Sequence, residues 1–133
     1  MVSSKSILFV CVENAGRSQM AEAFLRKYAP NFEVTSAGSQ PHSQLNPIVV
    51  QVMNEIGIDI TKQKPKQLTD EMIQKSTAVN MGCMDKESCP SLFVRDVINW
   101  NILDPKDKEI DQVRQIRDEI KNEVLNLIKK LEE

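Results

Sequence analysis

From Ser6 to Val12 the chain is apolar at every position after the first, and it carries a cysteine at position 11. A short unbroken apolar run of this kind is the pattern of a strand buried on both faces. Phe32 to Ala37, stopped by Gly38, reads as a second strand, and Thr77 to Met81 and Val94 to Trp100 read as two more. Between them the period changes to that of helices. Gln19 to Tyr28 places Met20, Ala23, Phe24 and Lys27 at helical spacing, with Ser18 as the expected N-cap and Pro30-Asn31 as the stop. Asn46-Pro47 opens a second helix whose buried stripe is Ile48, Val49, Val52, Met53 and Ile56, ended by Gly57. Leu68 to Gln74 suggests a short helix. Ile110 to Leu131 is a long amphipathic one, apolar at Ile110, Val113, Ile116, Ile120, Val124, Leu127, Ile128 and Leu131.

Strand-helix alternation predicts an α/β fold, a three-layer sandwich with a mostly parallel, four-stranded sheet. No repeat, low-complexity tract or linker interrupts the chain, so residues 1–133 read as one domain. Ligands on such sheets bind beyond the carboxyl ends of the strands. Cys11 lies at the end of the first.

Composition narrows the partners. The chain is 41% hydrophobic and 27% charged with a net charge of −2, which gives no support for nucleic acid or an anionic membrane as partner. A small anion needs only a local positive site. No apolar stretch approaches the ~18 residues of a membrane span. The N-terminal apolar run lacks a signal-peptide cleavage site, so the expected location is the cytoplasm. Three cysteines are an odd count for a secreted disulfide scaffold.

The strongest local signal is Cys11-Val12-Glu13-Asn14-Ala15-Gly16-Arg17-Ser18, a C-x5-R-S segment between a strand and a helix start. A loop there can curl so that the backbone N–H groups of Val12, Glu13, Asn14, Ala15, Gly16 and Arg17 point inward. With the helix dipole behind it, such a nest binds a tetrahedral oxyanion. Gly16 eases the turn. The Arg17 guanidinium can fork two N–H bonds onto the anion. A thiol at Cys11 would feel the same positive field, lowering its pKa from the ~8.5 of a free cysteine. The Ser18 hydroxyl can donate to the thiolate, and Asn14 can brace the loop. The bland alternative is a buried strand-end cysteine followed by a polar turn. The flanking strand, helix and serine argue against it.

Chemistry at Cys11 needs a proton donor for the leaving oxygen. Asp104-Pro105, between the last strand and the last helix, is the candidate. Alone, Asp-Pro would be only a turn. Cys83 and Cys89 are spaced C-x5-C in a polar segment followed by Pro90. Zinc usually takes closer pairs with further ligands, and the one histidine is His42, so no metal site and no cofactor are expected. Two inert thiols would sit oddly in so charged a segment. A thiol pair that closes into a disulfide suits the spacing better.

Cys11 to Ser18, continuing into Gln19-Met20-Ala21-Glu22-Ala23-Phe24, resembles the opening of the thioredoxin-coupled arsenate reductases, which have the low-molecular-weight tyrosine phosphatase fold. Ser36-Ala37-Gly38, His42, Asn46-Pro47, Gly57-Ile58-Asp59-Ile60, Trp100 with Asp104-Pro105, and Arg117-Asp118-Glu119-Ile120 extend the resemblance over nearly the whole chain. It implies reduction of arsenate to arsenite. Cys11 attacks arsenate held by the loop and Arg17, and Asp104 protonates the departing oxygen. Cys83 then attacks Cys11, and Cys89 attacks Cys83. The final Cys83–Cys89 disulfide is reduced by thioredoxin or a similar dithiol protein. Phosphate or sulfate would occupy the same loop.

Three departures stand out. The loop reads Asn14-Ala15-Gly16-Arg17-Ser18 where many relatives have Asn-Ser-Cys-Arg-Ser. The Cys83–Cys89 spacing is a residue shorter than in some. Some relatives hold a potassium ion at positions matching Asn14, Glu22, Ser36 and an aspartate. Here the aspartate region reads Lys64-Pro65-Lys66-Gln67, so that site is not expected. The alternative enzyme is a protein tyrosine phosphatase using Cys11, Arg17 and Asp104, with the other two thiols idle. Lys106-Asp107-Lys108 after the acid, in place of ring-stacking aromatics, argues against it. A non-enzymatic oxyanion or thiol sensor is the remaining class. Sustained turnover distinguishes it.

Overall fold

The computed structural model describes residues 6–81 and 97–132. Its sheet is built outward from β1 (Ser6–Cys11), which pairs in parallel with β2 (Glu33–Gly38) and with β3 (Thr77–Asn80). β4 (Ile98–Asn99) pairs in parallel with β3, giving the order β2-β1-β3-β4. The continuous apolar pattern of β1 explains its inner position. Ile7 and Phe9 enter one core and Leu8 and Val10 the other, because successive side chains leave opposite faces.

Helices α1 (Arg17–Tyr28), α2 (Pro47–Asn54) and α4 (Ile110–Glu132) cover the face of Ile7 and Phe9. The short α3 (Asp70–Lys75) brings Ile73 to the opposite face. The result is the expected three-layer arrangement. α4 is held by packing. Val113, Ile116, Ile120, Val124, Leu127 and Ile128 are buried, at about 1.5–3 kcal/mol each for full burial. Surface ion pairs contribute a few tenths of that. No helix among the described residues is long and apolar enough to cross a membrane.

Several boundaries differ from the sequence pattern. α1 starts at Arg17, with Gly16 as a cap that offers no side-chain bond, so Ser18 is not the N-cap. It lies inside the first turn, fully buried. The chain enters this helix straight from the loop, and its first amides face the loop instead of a capping oxygen. α2 does begin as expected, with the Asn46 side chain accepting the Ile48 N–H at 3.0 Å and Pro47 at the first position. It stops at Asn54, however, and Ile56 is 37% exposed. Gly57 takes φ 81°, and the Ile58 N–H returns to the Met53 carbonyl at 3.0 Å, so Ile58 fills the core place expected of Ile56. α3 begins at Asp70 because Thr69 caps it, accepting the Met72 N–H at 3.2 Å. Of the predicted strand from Val94 to Trp100, residues 97–100 are described, and the ladder covers only Ile98 and Asn99.

Candidate active site

Cys11 closes β1 opposite Gly38 of β2, and the chain then turns through residues 12–16 into α1. Five consecutive carbonyls of this turn accept hydrogen bonds from outside it. Val12 O receives the Gln40 N–H at 2.9 Å, Glu13 O the His42 N–H at 2.9 Å, and Ala15 O the Asn46 N–H at 2.9 Å. Asn14 O receives Gln19 Nε2 at 2.9 Å, and Gly16 O the Met20 N–H at 3.0 Å. In a planar trans peptide the N–H of the next residue points opposite to the carbonyl, and no described peptide is cis. The N–H groups of residues 13–17 therefore turn inward, at the N-terminus of α1. That is the geometry of an anion nest.

Arg17 is aimed at the same point. Its Nη1 donates to Ile102 O at 2.7 Å and to Met81 O at 3.3 Å, which fixes one side of the guanidinium. The other edge, Nε with Nη2, is the one that forks onto an oxyanion. Nε is buried without a hydrogen-bond partner among the described residues, and Nη2 lies 3.7 Å from Asp104 Oδ2. An unpaired buried donor costs about 1–3 kcal/mol. An oxyanion in the nest would remove that cost.

Asn14 underpins the turn. It is fully buried at φ 53°, a left-handed conformation that costs a residue other than glycine about 1–2 kcal/mol. Its side chain offsets the strain. Nδ2 donates to Ser18 Oγ at 2.7 Å, and Oδ1 accepts from Gln19 Nε2 at 3.0 Å and from the Lys66 N–H at 2.8 Å. Because Ser18 Oγ accepts from Asn14, the hydroxyl proton of Ser18 is left to donate elsewhere. Gly38 is needed beside this turn, since a β-carbon there would lie 2.4 Å from Val12 O.

Asp104 follows Ile102 by two residues and sits at the rim, with its side chain 55% exposed. Its Oδ1 accepts the Lys106 N–H at 3.0 Å, and Pro105 packs against Gly16, where a β-carbon would come within 2.9 Å of its Cγ. A cavity of about 490 Å³ opens over Cys11, walled by Arg17, His42, Leu45, Asp104 and Lys106 among others. Lys106 Nζ reaches Glu13 Oε2 at 3.5 Å across its mouth. The structure thus brings Cys11, the loop, Arg17, Ser18 and Asp104 together. Cys83 and Cys89 lie outside the described residues.

Sequence reading missed the outer wall. His42 and Leu45 line the cavity, and residues 40–46 supply the N–H groups that hold the carbonyls of Val12, Glu13 and Ala15 outward. No local motif marks them, because their contribution is backbone and position.

The residues behind the loop do not fit a potassium ion. Both lone pairs of Asn14 Oδ1 are taken by Gln19 and Lys66. Glu22 Oε1 accepts the Ser36 hydroxyl at 2.6 Å and the Lys66 ammonium at 3.4 Å, and Oε2 pairs with Arg26 at 2.9 Å. One buried carboxylate already meets two cations. Among the described residues no three His, Cys, Asp or Glu side chains converge as metal ligands.

The family model described as low molecular weight phosphotyrosine protein phosphatase matches residues 6–133. An arsenate reductase of Bacillus cereus is 39% identical over 124 residues, covering 90% of this chain and 91% of that protein. A solved structure of an arsenate reductase in the phosphate binding state superposes with a TM-score of 0.84 at 29% identity, over 95% of this chain and 98% of that one. A thioredoxin-dependent arsenate reductase of Corynebacterium glutamicum superposes with a TM-score of 0.80 at 37% identity, over 97% of this chain and 62% of that one.

Proposed function

The chain belongs to the low molecular weight phosphotyrosine protein phosphatase family, and from that premise we propose that it reduces arsenate to arsenite. The observation that carries the reading is the nest whose carbonyls all bond outward, with Arg17, whose buried Nε has no partner among the described residues, lining the same cavity as Cys11. Such a site takes a tetrahedral oxyanion, and the named activity of the relatives selects arsenate among them.

The chemistry follows in three steps. The Cys11 thiolate attacks arsenic(V) bound by the inward N–H groups and Arg17, with Ser18 donating to the thiolate. Asp104 gives its proton to the departing oxygen, which leaves as water, and a Cys11–arsenic bond forms. Cys83 then attacks Sγ of Cys11. The sulfur–arsenic bond breaks, its electron pair stays on arsenic, arsenite leaves, and a Cys11–Cys83 disulfide remains. Cys89 attacks Cys83 and returns Cys11 as a thiolate. Thioredoxin or a similar dithiol protein reduces the Cys83–Cys89 disulfide.

A phosphatase reading draws on the size of the cavity, which exceeds that of a bare oxyanion and leaves room for an ester group. No Phe, Tyr or Trp lines it among the described residues, which disfavours an aryl phosphate as the natural substrate. Steady-state assays with thioredoxin and its reducing system decide between the two. Arsenite turnover lost in Cys83→Ser and Cys89→Ser, with slow aryl phosphate hydrolysis untouched, supports the reductase. Brisk hydrolysis indifferent to both cysteines, with no arsenite, supports the phosphatase.

A further inference from the structure

Behind the loop, Glu22 is a buried carboxylate that takes no part in the chemistry. A buried charge is tolerated only when paired and hydrogen-bonded, and stripping one partner from such a group is strongly destabilising. Here Lys66 does more than pair it. The Lys66 N–H holds Asn14 Oδ1 at 2.8 Å, and its carbonyl accepts the Gly38 N–H at 2.8 Å. Its ammonium bridges Glu22 Oε1 at 3.4 Å and Lys64 O at 3.2 Å. Lys64 O in turn receives Gln19 Nε2, the group that also grips Asn14. Residues 63–68 therefore form a strap across the back of the loop, fastened to α1 by the Gln19 and Gln63 side chains and, as its one charged tie, by the Lys66 ammonium.

We propose that the Lys66 ammonium is a resident cation: it shares the Glu22 carboxylate with Arg26, which pairs with Oε2 at 2.9 Å, and it locks the strap on Asn14, so that this chain has no need of a bound monovalent metal ion at that place. Lys66 is a positioning residue acting through Asn14. Removing its side chain leaves Glu22 Oε1, Ser36 Oγ and Lys64 O around a gap, a hard-oxygen set suited to a small cation.

The test is cation dependence in the full chain, with potassium exchanged for choline at fixed ionic strength. Two readouts are followed, the thermal midpoint and the calorimetric affinity for inorganic sulfate. The wild type is expected to ignore the exchange in both. Lys66→Ala in choline is expected to melt lower by about 5–10 °C and to bind sulfate several-fold more weakly. Potassium or ammonium restores both saturably. Lys66→Met, which fills the gap without a charge, is low in either salt. A potassium-specific gain in the wild type overturns the proposal, as does a Lys66→Ala protein that ignores the cation. If Lys66→Ala does not fold, the double variant Glu22→Gln/Lys66→Met decides. It is expected to melt above Lys66→Met alone, and a lower or equal midpoint overturns the proposal. Neither readout uses arsenate, so this inference and the arsenate reading can fail separately.

Discussion

Arg17 donates from Nη1 to the carbonyl of Ile102 at 2.7 Å, so a single side chain ties the anion-binding loop to the segment that carries Asp104. The acid is held near the nest by the backbone two residues before it. The same guanidinium keeps its Nε edge for the ligand. In the proposed chemistry Arg17 is thus both a scaffold bond and an anion ligand, and the two duties use opposite sides of one planar group.

A lysine cannot do both, because an ammonium is a point charge without the fork. Arg17→Lys is expected to lower kcat/KM for arsenate by about 10²-fold or more, the loss of charge-assisted hydrogen bonds worth ~1.5–3 kcal/mol each. Steady-state kinetics measure it, and thermal melting of the same variant reports the lost bonds to Ile102 and Met81.

Gly38 sits where β2 meets the loop. A β-carbon 2.4 Å from Val12 O has only backbone to push against. Gly38→Ala is therefore expected to displace the Val12 peptide and to cost about 1–3 kcal/mol of stability, as overpacking does. Denaturant unfolding checks the cost. A parallel loss of sulfate affinity would locate the damage in the loop.

Acid stability has a named contributor far from the site. Hydrogen bonds from the Arg114 guanidinium, with Arg117 adding to them, hold the Glu55 carboxyl below its ordinary 4.5. A carboxyl that is more acidic when folded stabilises the protein above its unfolded pKa. That stabilisation is lost as pH falls from about 4.5 through the lowered folded value. Glu55→Gln is expected to lower stability at neutral pH and to flatten its decline as pH falls below about 4.5. Melting across that range measures both.

Short-range chemistry was legible in the sequence. Cys11, Arg17 and the strand and helix around them lie within a few residues of each other, and the apolar run of β1 marked it as an inner strand. The rest depended on distant partners. Nothing near Gly16 announces that α1 starts at Arg17, because the reason is a loop three of whose carbonyls are bonded by residues 40–46. Ile56 fitted the helical period and still faces solvent, since Gly57 ends the helix and hands its core place to Ile58. Lys66 was visible as a departure from the relatives. Its hold on Glu22, 44 positions away, required the fold.

The central claim is that one chain reduces one arsenate with its own thiols before any external reductant acts. Fully reduced enzyme mixed with arsenate, without thioredoxin, is the direct test, read as arsenite released and thiols remaining. The account predicts about one arsenite and a loss of about two thiols per chain, with peptide mapping finding Cys83 joined to Cys89. No arsenite, with all the thiols intact and Cys11 still able to hydrolyse an aryl phosphate, would contradict it.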